Sequence, residues 1–155
     1  MRQFQSAAEL AACLGQEVAV SGWVTVTQQQ INQFAEATGD HQWIHVDVEK
    51  ARSGPFGAPI AHGFLTLSLL PQFFQQCVDI KGFGMGVNYG LNKVRFMAPV
   101  PVGSQLRGRL TLAACDAIDA ADPEAGVQIT WDVTIEREGS AKPVCAAQSL
   151  VRYYR

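Results

Sequence analysis

The chain has 155 residues, 12 Lys+Arg against 14 Asp+Glu, and 48% hydrophobic residues, the profile of one domain, residues 1–155, that buries about 70% of its unfolded surface. A net charge of −2 supplies no basic field for a phosphate backbone, which argues against a nucleic-acid partner. The charged fraction of 17% is below the roughly 25% usual for globular chains, so apolar surface is expected to remain for a homo-oligomer interface.

Cys13, Cys77, Cys115 and Cys145 show neither a CxxC pair nor zinc-ligand spacing and read as free, mostly buried thiols. Gln3, Gln5 and Glu9 interrupt the apolar residues of the N-terminus, so no signal h-region is expected there. No stretch approaches the roughly 18 apolar residues of a membrane span. Both observations fit a cytoplasmic protein with no membrane partner.

In chain order, Ser6 can cap a short helix through about Leu14 that Gly15 ends, and Val18 to Thr27 carries the β-branched bias of a strand. Thr27 and Gln30 form a capping box for a helix through Ile31, Phe34, Ala35 and Thr38, which Gly39 ends. Gly54, Pro55, Gly57 and Pro59 make residues 40–61 mostly loop, with Asp47 capping one turn around Val48 to Arg52. His62 to Val78 is apolar almost all round, as a buried helix is, and Pro71 is expected to kink it without ending it. From Gly82 the period becomes two: Val94 and Phe96, then Leu106, Leu110 and Leu112, then Val127 to Glu136, and a last strand over about Val144 to Tyr154. These read as half-buried antiparallel strands. The predicted class is α+β, an antiparallel β-sheet wrapped around a long central α-helix.

All three histidines fall in the segment richest in Gly and Pro, which is the main functional signal. Asp40 and His45 would stand about 140° apart on a continuous helix. Because Gly39 stops the helix before them, a loop can bring both side chains to one point. A carboxylate and a neutral imidazole so placed can hold a water, take its proton and return a proton to carbon. His62 and Gly63 fall at the start of the buried helix, where unpaired N–H groups can stabilise a carbonyl oxygen that gains negative charge.

GDHQWIHVD, followed by PIAHGFLTLSLLP and NYGLNKVRFMAPVPVGS, resembles the MaoC-like dehydratase family, the (R)-specific enoyl-CoA hydratases of hot-dog fold, over roughly residues 28 to 110. The resemblance implies a homodimer with active sites at its interface. It also implies reversible hydration of a trans-2-enoyl thioester, carried on CoA or acyl carrier protein, to the (R)-3-hydroxyacyl thioester, without metal or redox cofactor. Carried over by residue, Asp40 and His45 match the catalytic pair, Gly63 the oxyanion donor, and Ser68 a helix hydroxyl that supports the site in some members. Gln42 and Trp43 stand where the family usually has Asn and Pro. Gln42 keeps an amide with longer reach, and loss of the Pro changes the backbone between Asp40 and His45.

Each assignment has a plainer rival. Asp40 could cap the loop after Gly39, His45 could be a satisfied core histidine, and His62 could cap or pack at the helix start. Ser68 could bond back to its own helix. His41 and His45 share HxxxH spacing, but no helix is expected to present them to a metal. Phe64, Phe73 and Phe74 read as core ahead of acyl-pocket wall, and Asn88 and Tyr89 could line a channel or form a turn. Because the hot-dog fold hosts several activities, a thioesterase and a non-catalytic thioester-binding subunit are the competing readings.

Overall fold

The computed structural model describes residues 1–155, the side chain of Pro123 excepted. Strand β1 (Arg2–Phe4) leads into α1 (Ala7–Ala11), which Ser6 caps by accepting the Glu9 N–H. The strand expected over 18–27 is two, β2 (Glu17–Val20) and β3 (Val24–Thr25). Between them the Ser21 hydroxyl accepts the Gly108 N–H at 2.9 Å, so a side chain replaces a rung of the backbone ladder. Helix α2 (Gln28–Thr38) carries the Thr27/Gln30 capping box and ends at Gly39, whose φ of 76° is the left-handed conformation that glycine adopts without strain.

Residues 40–61 are less irregular than expected. The turn capped by Asp47 is α4 (Val48–Arg52), and an unforeseen turn, α3 (Trp43–Val46), precedes it. The buried apolar run is two helices rather than one, α5 (Gly63–Ser68) and α6 (Leu70–Cys77). Pro71 has no N–H for the Leu67 carbonyl, the Leu69 N–H closes a tight turn on Thr66 instead, and Pro71 occupies the first turn of α6, where a missing donor is tolerated. The run ends at Cys77 because Val78 opens β4 (Val78–Ile80), which pairs in parallel with β1.

Strands β5 (Met85–Phe96), β6 (Gln105–Ala117), β7 (Val127–Arg137) and β8 (Cys145–Tyr154) form an antiparallel sheet in the order β2-β6-β7-β8-β5, with β3 also on β6. Their alternation puts Leu106, Leu110 and Leu112 of β6 and Ile129, Trp131, Val133 and Ile135 of β7 in the core. Helix α6 lies against that face. Phe73 is buried over Gly108, where a Cβ would stand 3.1 Å from the Phe73 ring, so the glycine sets the approach of helix to sheet. The Phe74 ring lies 5.5 Å from that of Trp131.

Two expectations fail in instructive ways. Strand β5 is exposed along almost its whole length, not half-buried, because as an edge strand it has one bonded neighbour, and its packing is confined to Val94 and Phe96 near its end. Its Met85, Val87, Tyr89 and Leu91 account for much of the exposed apolar surface that the low charge foretold, and Asn88 and Tyr89 lie in strand, not turn. Of the three phenylalanines read as core, Phe73 is buried and Phe74 packs against the core, but Phe64 is 67% exposed. The cysteines are free, with Cys13, Cys77 and Cys145 buried and Cys115 half-buried.

Candidate active site

The end of α2 at Gly39 and the turn of α3 bring Asp40 and His45 close together, as the loop after Gly39 allows. One ligand atom each of Asp40, His45 and His62 lies within 4.8 Å of the other two. Asp40 is exposed, whereas His45 and His62 are buried. Gln42 ties the loop together through its backbone: its N–H donates to Asp40 Oδ1 at 3.4 Å and its carbonyl accepts the His45 N–H at 3.0 Å. The support expected from the Gln42 amide therefore comes from the main chain. Trp43 starts α3 and lies under the Lys50 ammonium, 4.7 Å from its ring.

The His45 ring is held by groups that no local pattern announces. Its Nδ1 lies 2.7 Å from the Ile60 carbonyl. A carbonyl only accepts, so Nδ1 carries the proton and Nε2 keeps a free lone pair. The Gln28 amide donates to the His45 carbonyl at 2.8 Å, fixing the backbone behind the ring. Burial lowers the His45 pKa below its ordinary value and the nearby His62 adds to this, while the Ile60 bond and Asp40 oppose it. His45 is thus a neutral base at neutral pH.

His62 occupies the cap position of α5 but makes no side-chain capping bond. Its Nε2 donates to the Asp40 carbonyl at 2.9 Å, across 22 residues of chain. Its ring stacks on His45 with centroids 3.8 Å apart and planes 24° from parallel, and Phe34 packs against it at 4.9 Å. It is a buried brace that joins the Asp40 loop to α5.

Two such nearly parallel rings do not direct their in-plane lone pairs at a common point, so the cluster is poorly shaped for a tetrahedral metal ion. His41 stands apart, half-exposed and 3.7 Å from Glu36.

His45 and Gly63 line one cleft of about 340 Å³, together with Ile60, Thr66, Phe96 and Val100. Gly63, as the first residue of α5, has an N–H without an intrahelical acceptor. A Cβ there would come within 2.9 Å of the Phe96 ring, so a side chain at this position would have to displace that ring. Because α5 has six residues, the donor reading rests on this N–H and not on a long helix dipole. Ser68 takes its plainer alternative, since it is exposed and donates to the Phe64 carbonyl at 2.7 Å. The residues that sequence reasoning missed are Ile60, Gln28 and Thr66; only Thr66, a hydroxyl like Ser68 in a mostly apolar run, left a signal to find.

An antiparallel sheet packed over a broken central helix, with a carboxylate and an imidazole close together near an apolar cleft, makes this a hot-dog protein. The family model described as "MaoC like domain" matches residues 9–132, and the chain belongs to this MaoC-like dehydratase/hydratase family. It is 55% identical over 153 residues to 3-hydroxyacyl-thioester dehydratase Z of Mycobacterium tuberculosis (strain ATCC 25618 / H37Rv), with 99% of both chains covered. It is 46% identical over 144 residues to nodulation protein N of Rhizobium leguminosarum bv. viciae, covering 92% of this chain and 87% of that protein. In fold it is similar to the unliganded R-hydratase PhaJ1 of Pseudomonas aeruginosa, with a TM-score of 0.72 at 21% identity over 97% of this chain and 86% of the other. Among the described residues, no helix is long and apolar enough to cross a membrane.

Proposed function

We propose that the protein is an (R)-specific hydratase that adds water reversibly to trans-2-enoyl-CoA thioesters. The observation that supports this most is the free Nε2 of His45, a buried neutral base near the Asp40 carboxylate in a cleft that Gly63 also lines. In the forward reaction Asp40 and His45 hold a water between them. His45 Nε2 takes its proton as the water oxygen bonds to C3 of the enoyl group. The electron pair of the double bond moves onto the thioester carbonyl, where the Gly63 N–H stabilises the enolate oxygen. The imidazolium then returns its proton to C2, and Asp40 offsets the charge it carries meanwhile. Proton transfer and charge stabilisation both come from protein groups, so the reading needs no metal or redox cofactor.

The partner is a second copy of the chain. Strand β5 is an edge with an open ladder and exposed apolar side chains, and Phe64 and Phe96 continue that surface to the cleft, their rings 5.9 Å apart. A mass in solution of twice 16.8 kDa is expected, and a monomer that gains activity only with a different hot-dog chain would contradict the homodimer.

Mixed with trans-2-enoyl-CoA, the purified protein should bleach the conjugated absorbance without releasing free thiol. Thiol release instead would mark a thioesterase, and binding without turnover a non-catalytic subunit.

The depressed His45 pKa sets the pH dependence. kcat/KM should stay level through neutral pH and fall only below about pH 6.5, the ordinary imidazole value. Below that pH the unfolded chain binds a proton at this position more readily than the folded one, so stability also declines as pH falls. An acid limb centred above pH 7 would contradict the assignment of His45 as a buried base.

A further inference from the structure

Thr66 lies one turn beyond Gly63 on α5, lines the same cleft, and is 2% exposed. A buried helical hydroxyl normally donates to the carbonyl four residues back, as Ser68 does to Phe64. Thr66 does not. The His62 carbonyl accepts the Thr66 N–H at 3.1 Å, and no protein group pairs with the Thr66 hydroxyl. A hydroxyl without a partner in an apolar wall is unfavourable unless something entering the cleft pairs with it. The Thr66 side chain and the Gly63 backbone stand one turn of α5 apart along the wall of that cleft.

We infer that the Thr66 hydroxyl is a second donor to the carbonyl oxygen of the thioester, acting beside the Gly63 N–H. The inference rests on the hydration reading for the identity of that carbonyl. It predicts that Thr66 discriminates a thioester from a thioether and stabilises the enolate more than the ground state.

The test compares Thr66→Val, which keeps the shape and removes the hydroxyl, with Thr66→Ser, which keeps it. With trans-2-enoyl-CoA substrates from crotonyl to decenoyl, Thr66→Val should lower kcat on the order of 10²-fold, the usual cost of losing one oxyanion donor. Thr66→Ser should stay within about 3-fold of the wild type, far inside that loss. The Thr66→Val protein should melt at the same temperature or higher, since an unpaired buried hydroxyl has been removed.

Calorimetric binding supplies a readout independent of turnover. Thr66→Val should weaken octanoyl-CoA about 10-fold, one hydrogen bond's worth, while leaving S-octyl-CoA, which lacks the carbonyl, unchanged. Thr66→Ala carries the same comparison if Thr66→Val does not fold.

The inference is overturned if the hydroxyl-free variants keep wild-type kcat and wild-type preference for octanoyl-CoA over S-octyl-CoA, or if Thr66→Ser loses as much as Thr66→Val. A wild type that binds octanoyl-CoA in preference to S-octyl-CoA through Thr66, yet hydrates none of the substrates, would remove the hydratase reading and leave the Thr66 contact standing.

Discussion

Asp40→Asn and His45→Asn should each lower the hydration kcat by at least about 10³-fold, or roughly 4 kcal/mol of transition-state stabilisation. Asn at position 40 still accepts the Gln42 N–H that reaches Oδ1, but it cannot carry the negative charge that offsets the imidazolium. Asn at position 45 can place an N–H where Nδ1 meets the Ile60 carbonyl, which preserves the buried bond while removing the base. His45→Ala would leave that carbonyl unpaired and add a folding penalty of about 1–3 kcal/mol, so it is the less informative variant. In the proposed reaction both groups act on one water molecule, so their losses should not add. The double variant should be scarcely worse than either single one. Steady-state kinetics with melting temperatures check this, and additive losses would mean that the two residues act separately.

Trp131→Ala should destabilise the protein by about 3–5 kcal/mol, the usual range for emptying a buried aromatic site. Trp131 is fully buried on β7, opposite Leu112 on one neighbour and Ser149 on the other, and its ring supports Phe74 of α6. For a chain of this size that loss lowers the melting temperature on the order of 10 °C. Trp131→Phe should cost less, because it keeps part of the ring and deletes an indole N–H that has no partner. Chemical denaturation monitored by circular dichroism measures both. A loss below about 1 kcal/mol for Trp131→Ala, well under the range for such sites, would show that the sheet does not depend on this contact to hold the helix pair.

What could be read from the chain is what its local chemistry decides. The Thr27/Gln30 box and Gly39 define both ends of α2, and the alternation in β6 and β7 identifies their buried faces before any partner is known. Asp40 and His45 stood out because the helix stop at Gly39 precedes them both and frees two side chains that a continuous helix would have kept apart. The rest depends on contacts between distant segments. The Ile60 carbonyl that sets the His45 tautomer comes from another part of the loop region, and the His62 ring reaches across 22 residues to the Asp40 carbonyl. Strands β1 and β4 have three residues each, too few to show a period, and their parallel pairing follows from where α6 ends. The break at Leu69 could be anticipated as a kink, but not the division into two helices, because that division depends on the turn that the Leu69 N–H closes on Thr66. Alternation in β5 says which side chains share a face, but not that most of both faces is left exposed.

Turnover of a trans-2-enoyl-CoA in heavy-oxygen water tests the proposed reaction most directly. Addition across the double bond predicts one heavy oxygen in the 3-hydroxyl of an (R)-3-hydroxyacyl product that is still attached to CoA. Heavy oxygen in a free carboxylate, with CoA released, would contradict it.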